Sequence, residues 1–176
     1  MNHDILLRNC ILPTINVIKE EAIKFRELIE KCDKNNNNVL TDSFPVMNCK
    51  ISSILLSYHF LTLWPEIMIK GIHAAAGKNG KITHYWLEIN DVVVDITGDQ
   101  YNLIDDKELN ENIIQSRPFP AIHVSFKKDS YLYKLFKTQE EDNFEKDFPT
   151  IGDDFIEEIH LGYSQLIDFK RIVQRQ

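Results

Sequence analysis

Cysteine is scarce in this sequence: Cys10, Cys32 and Cys49 are the three among 176 residues. An odd number of widely spaced cysteines, with no Cys-x-x-Cys pair, argues against a disulfide framework. No histidines or acids accompany them at the spacing of metal ligands, so neither a metal nor a cofactor is expected. The thiols are expected to be reduced, and each serves either as core filling or as chemistry.

Long apolar runs are also missing, because no stretch approaches the roughly 20 residues that span a bilayer. The N-terminal stretch, Met1 to Pro13, has early charges and no uninterrupted apolar segment, unlike a secretory signal peptide. These patterns predict a cytoplasmic protein with no membrane partner. Export as an effector without a cleaved signal would leave the same patterns.

Positive charge is in deficit, since 20 Lys and Arg stand against 27 Asp and Glu and the net charge is −7. Such a chain repels phosphate backbones, so nucleic acid is not expected as a partner. No Gly-rich phosphate loop is present, because Gly77-Lys78-Asn79-Gly80 lacks the spacing and the following helix. The sequence leaves the oligomeric state open.

The hydrophobic content of 43% is enough for a single domain over residues 1–176. Its core is expected at about 44–126, between an N-terminal helical segment, 1–40, and a C-terminal helix, 150–174. The order of the elements predicts an α+β fold with a largely antiparallel sheet. Periodicity, caps and turns predict these elements in chain order: a helix at 14–32 capped by Thr14, a helix after Asn48 that Pro65 limits, a strand at 67–75, a hairpin of Ile82–Ile89 and Val92–Thr97, a helix at 105–115, a strand at 121–126, a solvated loop or helix face at 137–147, and a helix from Asp153 or Asp154.

The hairpin makes a geometric prediction about two polar residues. If Asn90 and Asp91 form a two-residue turn, Trp86 pairs with Asp95. His84 and Asp95 then become diagonal neighbours on one face, with Cα atoms roughly 7–8 Å apart. A carboxylate there can fix the tautomer of the imidazole and stabilise the imidazolium.

Cys49 follows a candidate helix cap, Asn48, and therefore lies in the first turn of the second helix. The partial positive charge and free N–H groups of a helix N-terminus favour a thiolate. A nearby imidazolium would favour it further. Cys49, His84 and Asp95 thus form a nucleophile, a base and an orienting acid in chain order.

Three blocks carry a resemblance: Phe44-Pro45-x-x-x-Cys49, His84-Tyr85-Trp86-Leu87-Glu88 and Asp95-Ile96-Thr97-Gly98-Asp99-Gln100-Tyr101. They resemble blocks in a bacterial branch of the papain-like and transglutaminase-like cysteine hydrolase superfamily, over roughly residues 44–125. The resemblance implies a papain-like fold in which a cysteine-bearing helix packs on an antiparallel sheet. It also implies an acyl-transfer enzyme with Cys49, His84 and Asp95 as the catalytic triad.

Papain has an oxyanion-donating glutamine upstream of its cysteine, whereas this chain has no glutamine before Gln100. Asn48 and Gln100 are the candidates for that role, together with the backbone N–H of Cys49. Trp86 is either a wall of the substrate cleft or core packing. Lys50 follows the nucleophile, where a small residue would be less surprising.

The predicted function is that of a thiol-dependent hydrolase or acyltransferase, meaning a peptidase, an amidase or a deamidase. It would form an acyl-enzyme on a protein or peptide substrate and need no cofactor. One alternative is a non-catalytic binding or immunity-type protein on the same fold. Another is a toxin effector that uses the same chemistry.

Each site residue also has a plainer interpretation. Cys49 can be a small buried hydrophobe, and His84 can be a strand residue satisfied by water. Asp95 can cap a turn with Thr97, and Glu88 is expected to face solvent.

Overall fold

The computed structural model of the chain describes residues 12–149 and 151–173. Cys10, His3 and most of the Met1 to Pro13 stretch lie outside these residues. The helices are α1 (Ile15–Lys31), α2 (Cys49–Leu63), α3 (Glu111–Gln115), α4 (Leu132–Leu135) and α5 (Asp153–Val173). The strands are β1 (Ile69–Ala76), β2 (Ile82–Ile89), β3 (Val92–Asp95), β4 (His123–Phe126) and β5 (Lys137–Phe144). Four 3-10 turns lie at Lys34–Asn36, Gly98–Asn102, Asp106–Glu108 and Lys127–Asp129.

The five strands form one antiparallel sheet in the order β4-β3-β2-β1-β5. The fold is therefore α+β, as predicted. In the β2–β3 hairpin Leu87 pairs with Val94 and Glu88 with Val93, which is the register predicted from the turn. Asn90 has φ = 53°, a left-handed conformation that asparagine tolerates.

Apolar side chains lie on both faces of the sheet, which explains why β2 has almost no exposed residue. On one face, Tyr85, Leu87 and Val94 join a core with residues of α1, α2 and α5. On the other face, Trp86 and Val93 join a second core with residues of the loop region and α4. Strand alternation therefore puts His84 on the face of Trp86.

Helix α2 is apolar around most of its circumference, as expected for a helix enclosed by other elements. Two of its buried serines satisfy their hydroxyl groups by donating to nearby backbone carbonyls. Ser57 donates to the Ile54 carbonyl, and Ser53 donates to the carbonyl of Tyr85 at 3.4 Å. The last contact joins the cysteine-bearing helix directly to β2.

Helix α1 begins as predicted, because the Thr14 hydroxyl accepts a bond from the Val17 N–H. The predicted helix at 105–115 is wrong in its first half. Asp105 caps the turn Asp106–Glu108, and Asn110 separately caps α3. Two local caps close together thus divide the segment into two short pieces.

The expected solvated loop or helix at 137–147 is also wrong, because Lys137–Phe144 is an edge strand paired with β1. Its side chains are nearly all exposed, so it has no apolar alternation by which a strand is recognised. Charged residues on an edge strand discourage pairing with another chain. The acidic stretch is therefore part of the sheet despite its polar composition.

Gly71 is needed where the Tyr85 ring crosses β1. A Cβ at this position would fall on the Tyr85 hydroxyl oxygen and 2.7 Å from Cε2 of Phe144. We expect Gly71→Ala to lower the free energy of unfolding by about 1–3 kcal/mol, measured by urea denaturation, because both rings are buried. Gly152→Ala is the control, since nothing lies within 4 Å of its Cβ. Equal stabilities of the two variants would contradict this role of Gly71.

Candidate active site

Cys49 is the first residue of α2 and is half-buried, as the sequence predicts for a reactive thiol at a helix start. Asn48 precedes it, but its side chain makes no capping bond, so that prediction is wrong. The Asn48 amide instead donates to the Thr41 hydroxyl and to the Val46 carbonyl, both at 2.8 Å. Because both amide hydrogens hold the preceding loop, the Asn48 side chain has none left for an oxyanion.

His84 and Asp95 are both fully buried and in direct contact. His84 Nε2 lies 2.8 Å from Asp95 Oδ2. The other carboxylate oxygen, Oδ1, accepts from the Thr97 N–H at 2.8 Å and from the Thr97 hydroxyl at 3.1 Å. Asp95 therefore has both predicted contacts: one carboxylate oxygen lies against His84, and the other accepts the bonds of the turn at Thr97.

The remaining ring nitrogen of His84 faces the rest of the site. Gln100, from the turn Gly98–Asn102, places Nε2 2.9 Å from His84 Nδ1 and is itself buried. The Cys49 thiol and the His84 ring also shift each other's pKa, so the two groups interact. A side-chain amide offers either N–H or C=O, so Gln100 can pair with Nδ1 in either protonation state.

The three groups shift one another's protonation. Burial opposes the Cys49 thiolate, but the hydrogen bond and positive charge of His84 outweigh it and lower the pKa of Cys49. The Lys50 N–H lowers the pKa of Cys49 further. Burial alone would lower the pKa of His84, yet Asp95 and Cys49 raise it to about 10. Burial also opposes the Asp95 carboxylate, but the charge of His84 lowers the pKa of Asp95. The interactions among the three groups thus favour the charged forms, a thiolate, an imidazolium and a carboxylate.

Arg26 is a buried residue of α1 that holds the loop after β3. Its guanidinium forms two bonds to the Asp99 carboxylate, at 2.8 and 3.0 Å, and one to the Ile96 carbonyl. It also lies 4.4 Å above the centre of the Phe44 ring. We call these contacts of Arg26 the clamp. Since the loop runs from Asp95 to Gln100, the clamp holds the two residues that hydrogen-bond to the His84 ring.

The sequence contains a signal that points to Arg26, although none of the three sequence blocks includes this residue. Ile18, Ala22, Phe25 and Ile29 form the buried stripe of α1, and Arg26 lies within it. An arginine is almost never fully buried unless it is paired. Such a residue therefore indicates an acidic partner elsewhere in the chain.

The structure decides between the two predicted roles of Trp86 and corrects the prediction for Glu88. Trp86 is fully buried and packs edge-on against Tyr133, so it is core packing and not a wall of the cleft. Glu88, expected to face solvent, is buried. It accepts a hydrogen bond from the Tyr133 hydroxyl and pairs with Lys127 at 3.1 Å.

Lys50 turns toward the edge of the sheet. Its ammonium lies 3.8 Å from the Asp142 carboxylate and 5.3 Å from the centre of the Tyr85 ring. The Tyr85 hydroxyl donates to the same carboxylate at 2.5 Å. The charge of Lys50, which follows Cys49 in the chain, is thus paired with Asp142 on β5.

The remaining polar candidates do not assemble into a second centre. Cys32 is buried and its thiol donates to the Ile29 carbonyl, and burial raises its pKa. Across residues 12–149 and 151–173, no three His, Cys, Asp or Glu side chains gather as metal ligands. Within the same residues, every helix is too short or too polar to cross a membrane.

Comparisons with family models, with curated proteins and with solved structures each gave no match. The chemistry proposed for the site therefore rests on its geometry.

Arg26→Gln tests the clamp. We expect the free energy of unfolding to fall by about 2–3 kcal/mol, because the substitution leaves the largely buried Asp99 carboxylate without its cation. Arg171→Gln is the matched control, since that ion pair is exposed and its loss should change stability by less than about 0.5 kcal/mol. Chemical denaturation of both variants measures the difference. A clamp of no importance would make the two variants equally stable.

Proposed function

We propose that the chain is a thiol-dependent hydrolase or acyltransferase that attacks an amide through Cys49, His84 and Asp95. Two observations carry this proposal: a half-buried thiol at a helix N-terminus has its pKa lowered by a buried imidazole, and that imidazole lies 2.8 Å from a buried carboxylate. A protein or peptide substrate fits the proposal. The chemistry needs no cofactor.

The reaction would follow nucleophilic catalysis. The Cys49 thiolate attacks the amide carbonyl and forms a carbon–sulfur bond. The His84 imidazolium gives its proton to the leaving amine as the carbon–nitrogen bond breaks, which leaves an acyl-enzyme. His84 then takes a proton from water or from an acceptor amine as that group attacks the acyl carbon, and the carbon–sulfur bond breaks to release the acyl product and restore the thiolate and the imidazolium. Asp95 keeps the ring oriented and stabilises its charged form throughout.

The developing oxyanion has donors at the start of α2. The first helical bond runs from the Ser52 N–H to the Asn48 carbonyl, so the N–H groups of residues 49–51 have no partner within the helix. The N–H of Cys49 is the backbone candidate. Gln100 is the side-chain candidate, because its amide nitrogen lies 2.9 Å from His84 Nδ1.

We also propose that the fold is papain-like in the transglutaminase-like sense. The cysteine helix packs on β2 of an antiparallel sheet, and the base and acid come from adjacent strands. This arrangement is the one that the resemblance of the three sequence blocks implies. It supports the family assignment without naming a substrate.

Alkylation of Cys49 tests the charge state of the thiol. Between pH 6 and pH 8 we expect its rate with iodoacetamide to rise less steeply than that of an ordinary thiol, because His84 lowers the pKa of Cys49. In His84→Ala the rate should rise about tenfold per pH unit, as for an ordinary thiol of pKa about 8.5. Peptide mapping by mass spectrometry separates Cys49 from the buried Cys32, the internal control. Slow labelling of Cys49 with an ordinary pH dependence would favour the non-catalytic binding protein.

Asp95→Asn tests the orienting acid. Removing the carboxylate removes the charge that holds His84 protonated, so the pKa of His84 should fall and that of the Cys49 thiol should rise. The alkylation profile of Cys49 then moves to higher pH. Asp91→Asn, in the exposed hairpin turn, is the control and should leave the profile unchanged. If Asp95→Asn leaves the pH dependence of Cys49 alkylation unchanged, Asp95 is not the acid that supports His84.

A further inference from the structure

A cleft of about 680 Å³ lies at the end of the β1–β2 hairpin, and three lysines line it. Lys78 comes from the turn after β1, Lys134 from α4 and Lys137 from the start of β5. Glu111 is the one acid among its lining residues. The lining thus has three positive groups and one negative group in a chain whose net charge is −7.

The cleft begins one residue beyond the base. His84 pairs with Ala74, and in the next row Thr83 pairs with Ala75, which in turn pairs with Lys137. Ala75 and Lys137 both line the cleft. Phe136, another lining residue, has its ring centre 5.6 Å from that of His84. Phe136, which is buried, therefore separates the cleft from the fully buried His84 ring by one side chain.

The lysines are free to bind a ligand. All three are exposed, and none of them forms an ion pair with another described residue. Glu111 accepts a bond from Gln115 of its own helix. No arginine lines the cleft, so the bidentate fork that suits a phosphate is missing, whereas lysines act as separate point charges. Separate charges from three segments match carboxylates spaced along an extended peptide.

We infer that this cleft binds an acidic segment of the substrate peptide beside the amide that Cys49 attacks. The inference rests on the proposed function, since it names the substrate class of that site. Farther along β5 the charge reverses at Glu140, Glu141 and Asp142. Glu141 and Asp142 are already paired with Lys70 and Lys50, whereas the three lysines of the cleft have no such partner among the residues that the structure describes.

Fluorescence anisotropy with the full chain carrying Cys49→Ser tests the inference without turnover. The probes are a fluorescein-labelled peptide of alternating Glu and Ser and its counterpart with Gln for every Glu. At low salt we expect the Glu peptide to bind about tenfold more tightly, and this preference to shrink at 0.5 M salt. The triple variant Lys78→Gln, Lys134→Gln, Lys137→Gln should abolish the preference. A matched triple variant at the exposed Lys19, Lys128 and Lys146 changes the net charge equally and should keep it.

Several results would overturn the inference: equal binding of the two peptides, no binding of either, or an equal loss in both triple variants. Stronger competition by inorganic pyrophosphate than by unlabelled Glu peptide would assign the cleft to a phosphate ligand instead. Because the assay does not use the thiol, its failure leaves the alkylation results for Cys49 intact. Selective peptide binding together with an unreactive Cys49 would instead keep the cleft and reject the enzyme.

Discussion

The buried contact between His84 and Asp95 is the constraint on which the site depends. Moving an imidazolium and a carboxylate out of water is expensive, and their attraction offsets this only when the remaining polar atoms also have partners. Here Thr97 satisfies the second carboxylate oxygen and Gln100 approaches the second ring nitrogen. The loop that provides both is held in turn by Arg26. The neighbouring residues thus provide the hydrogen bonds that water would otherwise give to this charged pair.

The parts of the site that are local in sequence could be predicted from it. A two-residue turn fixes the register of a hairpin, and the register fixes which side chains share a face. His84 and Asp95 could be placed together for that reason, and Gln100 follows within the next turn. The start of α2 at Cys49 could likewise be predicted, because caps and proline punctuation act over a few residues.

The parts that could not be predicted depend on partners far away in the chain. Asn48 has the composition of a helix cap, but the loop before it competes for the same amide. Glu88 has the pattern of an exposed strand residue, and only the packing of Tyr133 buries it. The edge strand β5 has no apolar periodicity, so its pairing with β1 decides its structure. Tertiary context outweighs local preference in each case.

The contact between Ser53 and the Tyr85 carbonyl has a consequence for how such a site can lose activity. The base, its acid and Gln100 come from residues 84–100, whereas the thiol arrives on a separate helix. A small slide of α2 along β2 would withdraw the sulfur while the histidine and its acid stay aligned. The position of the thiol thus depends on packing between helix and strand, whereas the hairpin register alone sets His84 against Asp95.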